Sequence, residues 1–148
     1  MYTLYYDSGS SNLMVNLVLL EIGAPHTLER VDLDAGQQRS AAYLALNPNG
    51  VVPTLVIDGV PHGEAAALAM LLVERHADAA LAPASGSAQR GDYLQWMFYL
   101  ANSLQPQFRQ WFYPGDHLPA AAETIKEAAR IGIEKCWSHI DAHIAAHG

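Results

Sequence analysis

The stretch that decides the fold is Asn47-Pro48-Asn49-Gly50-Val51-Val52-Pro53-Thr54-Leu55. Asn-Pro and Asn-Gly are turn-forming pairs, and the apolar residues that follow them predict a β-strand. Pro53 is expected where that strand begins, because a proline is tolerated only at a strand's first residue, on an edge or at a bulge. Local sequence alone favours an ordinary trans turn, because only about one X-Pro bond in twenty is cis, and a cis Val52–Pro53 bond is the alternative. The cis form would free the main chain of Val52 to bind a peptide-like ligand in the manner of an added strand.

Strands and helices are expected to alternate on both sides of this stretch. A first strand at Tyr2–Tyr6 leads through a serine-rich turn into a helix that is apolar on most faces and therefore expected to be buried. Asp58-Gly59 is a two-residue hairpin signal between the strands Thr54–Ile57 and Val60–His62. The remaining predictions are a second strand at 26–33, a short helix at 40–46 and a longer helix at 64–76. This order, with a right-handed crossover between parallel strands, is that of a thioredoxin-like α/β domain.

The rest of the chain is predicted to be helical. Residues 79–88 are rich in Ala, Ser, Pro and Gly, which indicates a linker. A long helical pattern follows over 89–112, with a kink or break expected near 102–105 because Pro106 falls inside it. A second long helix is predicted at 119–147. The expected organisation is therefore an α/β domain at 1–78, a linker at 79–88 and an all-helical domain at 89–148.

Composition limits the classes of partner. The chain has 148 residues, enough for one large or two small domains, and with 51% hydrophobic residues it can bury a core. The formal charge is −7, and residues 1–78 alone carry nine acids against three arginines. Such a surface repels phosphate backbones, so we expect no nucleic-acid partner. The single cysteine, Cys136, suits a reducing compartment. The start has no basic leader and no apolar run approaches the roughly 20 residues of a membrane span, so a cytoplasmic protein is expected.

The pattern Asn47-Pro48-x-Gly50-x-Val52-Pro53-x-Leu55, followed by a hairpin and by Gly63-Glu64-Ala65, resembles the glutathione-binding half of the glutathione S-transferases. The order of elements agrees as well, so the resemblance extends over nearly all of the chain. It implies a bacterial enzyme of the serine type, theta- or beta-like, with an all-α domain after the thioredoxin-like one. That helical domain is expected to be incomplete here, since the Ser/Thr-x-x-Asp capping motif that opens its further helices is missing. The resemblance also implies a homodimer.

The resemblance further implies where glutathione binds. In the family the main chain of the residue that aligns with Val52, before a cis-proline at Pro53, pairs with the cysteinyl unit. Glu64 would pair with the γ-glutamyl ammonium, and the Ala65 N–H would meet the γ-glutamyl carboxylate. Ala65 replaces a serine of the family, and one lost hydrogen bond to a charged group is worth about 1.5–3 kcal/mol, which predicts weaker binding. Gln105 falls where some bacterial relatives have a glutathione-contacting histidine.

Activation of the glutathione thiol is expected between the first strand and the first helix. A thiol pKa of about 8.5 must fall by about two units, which hydroxyl or amide donors at a helix N-terminus can achieve. Ser10 aligns with the donor serine of serine-type members, and Ser11 aligns with a cysteine of another bacterial class. Plain capping of the helix is the alternative role for both serines. Asn12 and Tyr6 are further candidate donors.

The implied activity is conjugation of the glutathione thiol to an apolar electrophile, a detoxification reaction with glutathione as co-substrate. Two alternatives stay open: glutathione-dependent disulfide reduction, and a non-catalytic glutathione-binding or interaction protein on the same scaffold. His139, His143 and His147 recur every four residues, which is metal-ligand spacing. Solvated histidines are the simpler interpretation, and no metal is expected. Cys136 is expected to be structural.

Overall fold

The chain divides into two compact units, Met1–Arg90 and Gly91–Gly148, and the computed structural model describes residues 1–116 and 118–147. The strands of the first unit are β1 (Tyr2–Tyr6), β2 (His26–Arg30), β3 (Thr54–Ile57) and β4 (Val60–His62). They form one sheet in the order β2-β1-β3-β4. The helices of this unit are α1 (Asn12–Glu21), α2 (Ala41–Leu44) and α3 (Ala65–Arg75), with single 3-10 turns at Gln37–Arg39 and Ala77–Ala79.

Strand β1 is central and pairs differently on its two sides. It is parallel to β2, with Leu4 opposite Leu28, and antiparallel to β3, with Leu4 opposite Leu55. The predicted parallel β1-α1-β2 unit is therefore present. β2 ends at Arg30, earlier than predicted, because Asp32 starts a turn: its main-chain oxygen and its carboxylate each accept a hydrogen bond of 2.9 Å from a following N–H.

The main core lies between the sheet and the helices α1 and α3, which contact each other. Val15 and Leu19 of α1 are fully buried there. The expectation that α1 is buried on most faces is wrong, because Leu13, Leu17 and Leu20 are 57%, 55% and 59% exposed. α1 is apolar around most of its circumference, and only one stripe of a helix can face a sheet.

A second, smaller core cluster fixes the loop before β3. It consists of Val31, Tyr43 and Val52. Gly50 has a φ of +60°, and a Cβ at this position would lie 2.8 Å from Arg39 Nη1 and 3.0 Å from the main-chain oxygen of Gln38. Both the left-handed conformation and the close approach require glycine in this turn.

The second unit is helical. α4 (Arg90–Tyr99) runs through a π-helical segment, Leu100–Leu104, into α5 (Gln105–Phe112), and α6 (Ala122–His147) follows the 3-10 turn Pro119–Ala121. The break predicted near residues 102–105 is this π-helical segment, after which Pro106 lies in the first turn of α5, where a missing N–H is tolerated. α5 packs against α6. The predicted fold class, a thioredoxin-like α/β unit followed by helices, is confirmed.

Candidate functional site

The Val52–Pro53 peptide bond is cis, as the resemblance predicted. Val52 is 8% exposed, and its N–H makes no hydrogen bond with any described residue. Its carbonyl oxygen accepts a long hydrogen bond, 3.4 Å, from the hydroxyl of Ser11. Val52 therefore offers an unused main-chain donor and a weakly used acceptor, the pair of groups to which an extended peptide binds.

The two serines that precede α1 have different partners. The Ser10 hydroxyl contacts the carbonyl oxygen of Asp7 at 3.2 Å and also Oδ1 of Asn12. Ser11 stands at the N-cap position of α1, yet its side chain makes no capping hydrogen bond. Plain capping is therefore wrong for Ser11, whose hydroxyl lies beside the Val52 carbonyl instead.

Asp7 and Asn12 hold the turn that carries these serines. The Asn12 side chain is buried, and its Oδ1 also accepts a 3.1 Å hydrogen bond from the Asp7 N–H. The Asp7 carboxylate accepts from Arg30 Nε at 3.2 Å and from the Leu33 N–H at 3.4 Å. Burial raises the pKa of Asp7, but the hydrogen bonds and the Arg30 charge outweigh it and hold that pKa below its usual value. Asp7 was not among the predicted site residues, because no local sequence pattern links it to residues more than twenty positions away.

The N-terminus of α3 has the features of an anion site. Glu64 precedes the helix with φ +66° and ψ +100°, a conformation that non-glycine residues rarely adopt. Backbone strain of this kind is concentrated at functional sites. No side chain of a described residue caps the helix, so the N–H groups of its first turn, beginning at Ala65, are open. The Glu64 side chain is exposed.

Tyr6 has a different environment from the residues around Val52. Its ring packs against the edge of the main core. It also lines a cavity of about 280 Å³ together with Asn12, Leu13 and Leu28. The structure therefore brings Tyr6 near Asn12, and the Tyr6 hydroxyl makes no hydrogen bond with a described residue.

The remaining candidates of the sequence analysis lie in the second unit. Gln105 is the first residue of α5. His139 and His143 contact the indole of Trp96, with ring centroids 5.4 and 4.5 Å apart. Within residues 1–116 and 118–147, no group of three or more His, Cys, Asp or Glu side chains is arranged to hold a metal ion. Cys136 is buried.

Comparisons with known proteins cover both units. A family model described as glutathione S-transferase, N-terminal domain, matches residues 12–75. Glutathione S-transferase GstA of Escherichia coli O157:H7 is 29% identical over 140 residues, which cover 93% of this chain and 67% of that protein. BphK, a bacterial glutathione S-transferase solved as a ternary complex, is 30% identical with a TM-score of 0.80, covering 93% of this chain and 68% of that one.

The chain belongs to the glutathione S-transferase family. By family it is thus an enzyme, a glutathione transferase. A sphingomonad glutathione S-transferase solved in complex with glutathione is 26% identical, with a TM-score of 0.82, and the match covers 97% of this chain and 70% of that one. The chain spans about two thirds of the length of these relatives, with 67%, 68% and 70% covered. The serine-type, theta- or beta-like subclass stays a prediction. No helix among the described residues is long and apolar enough to cross a bilayer.

Proposed function

We propose that this protein binds glutathione along the Val52 main chain and transfers its thiol to an apolar electrophile. The observation that carries the proposal is the combination, on one residue, of an unused N–H and a carbonyl oxygen 3.4 Å from the Ser11 hydroxyl. A cysteinyl unit that pairs with Val52 as an added strand has its thiol close to that hydroxyl. The similarity to a transferase solved with glutathione supports the same ligand.

Ser11 is the proposed hydroxyl donor to the thiolate. The hydrogen bond from the Ser11 hydroxyl to the Val52 carbonyl is long and therefore weak. A thiolate is charged and therefore a stronger acceptor, so the hydroxyl is expected to donate to it instead of to the carbonyl. The Ser10 hydroxyl is already engaged with Asp7 and Asn12, which supports a role in holding the turn for Ser10. In the reaction the thiol proton goes to solvent, the sulfur electron pair forms the new S–C bond, and the leaving group departs with its own electron pair.

The N-terminus of α3 is the proposed site for the γ-glutamyl end. The open N–H groups of its first turn and the positive end of its dipole favour a carboxylate. The Glu64 carboxylate, immediately before the helix, complements the γ-glutamyl ammonium. Ala65 supplies an N–H but no hydroxyl, so we expect Ala65→Ser to tighten glutathione binding by roughly ten- to a hundredfold, the equivalent of one hydrogen bond to a charged group.

Calorimetric titration with glutathione, followed by turnover assays, tests this proposal. The assays use a chlorodinitrobenzene-type electrophile and, separately, a mixed disulfide of glutathione. Binding together with conjugation supports the proposal, whereas turnover of the disulfide alone selects a reductase. Failure of the wild type and of Ala65→Ser to bind glutathione would overturn it.

A non-catalytic glutathione-binding or interaction protein on the same scaffold is the second candidate function. The substitution of alanine for the family's serine at Ala65 favours it, because this substitution weakens the ligand's anchor without touching the thiol. Binding without turnover of either substrate selects this candidate.

We also propose a homodimer in the cytoplasm, with residues 79–88 linking a glutathione-binding domain at 1–78 to a helical domain at 89–148. The resemblance to the family supports the dimer. Light scattering at micromolar concentration tests it, and a mass near that of one 16.1 kDa chain contradicts it.

A further inference from the structure

A closed ring of hydrogen bonds includes the main-chain oxygen of Val51, the residue before Val52. The inference drawn from this ring rests on the proposed function. Tyr43 Oη lies 2.8 Å from the carbonyl oxygen of Val51 and 2.8 Å from Thr54 Oγ1. Asn47 Nδ2 lies 2.9 Å from the same carbonyl oxygen and 3.0 Å from the same Oγ1. The three side chains are buried, with exposed fractions of 5% for Tyr43, 6% for Asn47 and 0% for Thr54.

The protons of this ring have one arrangement that satisfies every atom. The Val51 carbonyl can only accept, so it takes the Tyr43 hydroxyl proton and one Asn47 amide proton. The other Asn47 proton goes to Thr54 Oγ1, which leaves the Thr54 proton to be donated to Tyr43 Oη. Burial raises the pKa of Tyr43 by more than the hydrogen bond from Thr54 lowers it, so the phenol keeps its proton at neutral pH. Because each donor is used, removal of one hydroxyl leaves a buried partner unsatisfied.

The ring fixes the direction of the next N–H along the chain. The Val51–Val52 peptide unit is planar and trans, so its C=O and N–H point in opposite directions. Two donors hold the Val51 oxygen on the ring, so the Val52 N–H points away from it. That N–H is the unused donor of the candidate site. We propose that Tyr43, Asn47 and Thr54 are positioning residues that aim the Val52 N–H at the cysteinyl carbonyl of glutathione.

Asn47 also connects the ring to its neighbours. Its Oδ1 accepts from the Asn49 N–H at 3.1 Å, and its main-chain oxygen accepts from the Gly50 N–H at 2.9 Å. A Cβ on Gly63 would lie 3.7 Å from Asn47 Nδ2, so the residue before Glu64 packs against the same amide. The Asn47 side chain therefore lies between two proposed contacts of the ligand, the Val52 N–H and the start of α3, and helps to fix the distance between them.

The test compares hydroxyl deletions inside and outside the ring. Tyr43→Phe and Thr54→Val each remove one hydroxyl with little change in volume, and Thr54→Ser keeps the hydroxyl. Tyr2→Phe is the matched control, because it removes a tyrosine hydroxyl that is bonded at 2.9 Å to His76 Nε2 in the same unit. We expect Tyr43→Phe and Thr54→Val to raise the Kd and KM for glutathione about tenfold, with kcat at saturation within about twofold of the wild type. Tyr2→Phe and Thr54→Ser are expected to bind like the wild type.

A merely structural role would lower the resistance to urea but leave the Kd of the folded variants unchanged. Wild-type affinity in both Tyr43→Phe and Thr54→Val therefore overturns the inference, and if one variant does not fold, the other decides. Amide resonances of the unliganded, ¹⁵N-labelled protein give a readout that does not need glutathione. Tyr43→Phe should shift the Val52 amide resonance and Tyr2→Phe should not. If the wild type binds no glutathione, the proposed function fails, and an unmoved Val52 resonance in Tyr43→Phe then overturns the ring's role separately.

Discussion

At the scale of single residues, the proposed chemistry depends on which serine hydroxyl can donate a hydrogen bond to the thiolate. Two neighbouring serines precede α1, and their surroundings separate them. The Ser10 hydroxyl is held by Asp7 and by Asn12, within the turn itself. With the described residues the Ser11 hydroxyl makes one long hydrogen bond, to the Val52 carbonyl, and no capping bond. A weak hydrogen bond costs little free energy to break, so the Ser11 hydroxyl can turn toward a charged sulfur more easily than the Ser10 hydroxyl can. The geometry therefore favours Ser11 over Ser10, the serine that the family alignment favours.

We predict that Ser11→Ala raises the thiol pKa of bound glutathione and leaves the Kd for glutathione nearly unchanged. Loss of one charge-assisted hydrogen bond of about 1.5–3 kcal/mol corresponds to roughly a ten- to hundredfold slower conjugation at neutral pH. The thiolate absorbance of the complex, followed against pH, measures the shift. Ser10→Ala is the matched control and should change this pKa little. A reversed result, with the pKa raised only by Ser10→Ala, assigns the donor to Ser10.

At the scale of elements, the turn between β1 and α1 is tied to the end of β2 through the Asp7 carboxylate. Its hydrogen bonds to Arg30 and Leu33 cross from one strand end to the other. The pKa of Asp7 is lower in the folded chain than its ordinary value, despite the opposing effect of burial. A lowered pKa means that the carboxylate stabilises the folded state above about pH 4, and that this contribution is lost as the pH falls through the folded pKa.

We therefore predict that Asp7→Asn flattens the dependence of stability on pH below about pH 4. The measurement is the urea midpoint of unfolding at a series of pH values, for the wild type and the variant. Asp34→Asn is the control, because Asp34 is exposed and makes no hydrogen bond or ion pair with a described residue. If the urea midpoint depends on pH in the same way for the wild type and for Asp7→Asn, the carboxylate does not tie the two strand ends.

The packing of α5 on α6 supplies a second prediction at this scale. A Cβ on Gly132 would lie 2.6 Å from Gln107 Cδ, so the glutamine side chain occupies the space above the glycine. Alanine in a helix is favoured over glycine by about 1 kcal/mol, but here Gln107 must first move. We expect Gly132→Ala to bring no gain in the free energy of unfolding, and the double variant Gln107→Ala/Gly132→Ala to recover the gain. Gly91→Ala in α4, where no atom of a described residue would lie within 4 Å of the added Cβ, is the control. A stabilised single variant Gly132→Ala would show that the contact is loose.

At the scale of the whole molecule, sequence patterns predicted what depends on local chemistry. The strands and the interruption near Pro106 follow from residues adjacent in the chain. The cis bond at Pro53 was predicted only by the resemblance to the family, because local sequence alone favours a trans bond. The buried face of α1 could not be predicted from the sequence, because leucines and valines occur on most faces of this helix. Only its packing against the sheet determines that Val15 and Leu19 are the buried ones. The ring of Tyr43, Asn47 and Thr54 joins residues from a helix, a turn and a strand, and polar residues so spaced have no sequence signature until the chain folds.

The two units also differ in how much they bury, which predicts how the molecule unfolds. Among the described residues, the buried side chains of the second unit are Leu104, Ala129 and Cys136, whereas the other buried residues belong to the first unit. Apolar burial supplies most of the stability of a folded unit, so the second unit should unfold first in urea. All three tryptophans, Trp96, Trp111 and Trp137, lie in the second unit and report on it alone.

We predict that tryptophan fluorescence changes at a lower urea concentration than the loss of amide protection in β1 and β3, measured by hydrogen exchange. Glutathione at a hundred times its Kd should add about 2.7 kcal/mol to the protection of the first unit, because a ligand stabilises the unit that binds it. The fluorescence midpoint should stay where it is, since the proposed contacts at Val52 and Glu64 both lie in the first unit. A single midpoint for both probes, moved as one by glutathione, would show instead that the two units unfold cooperatively.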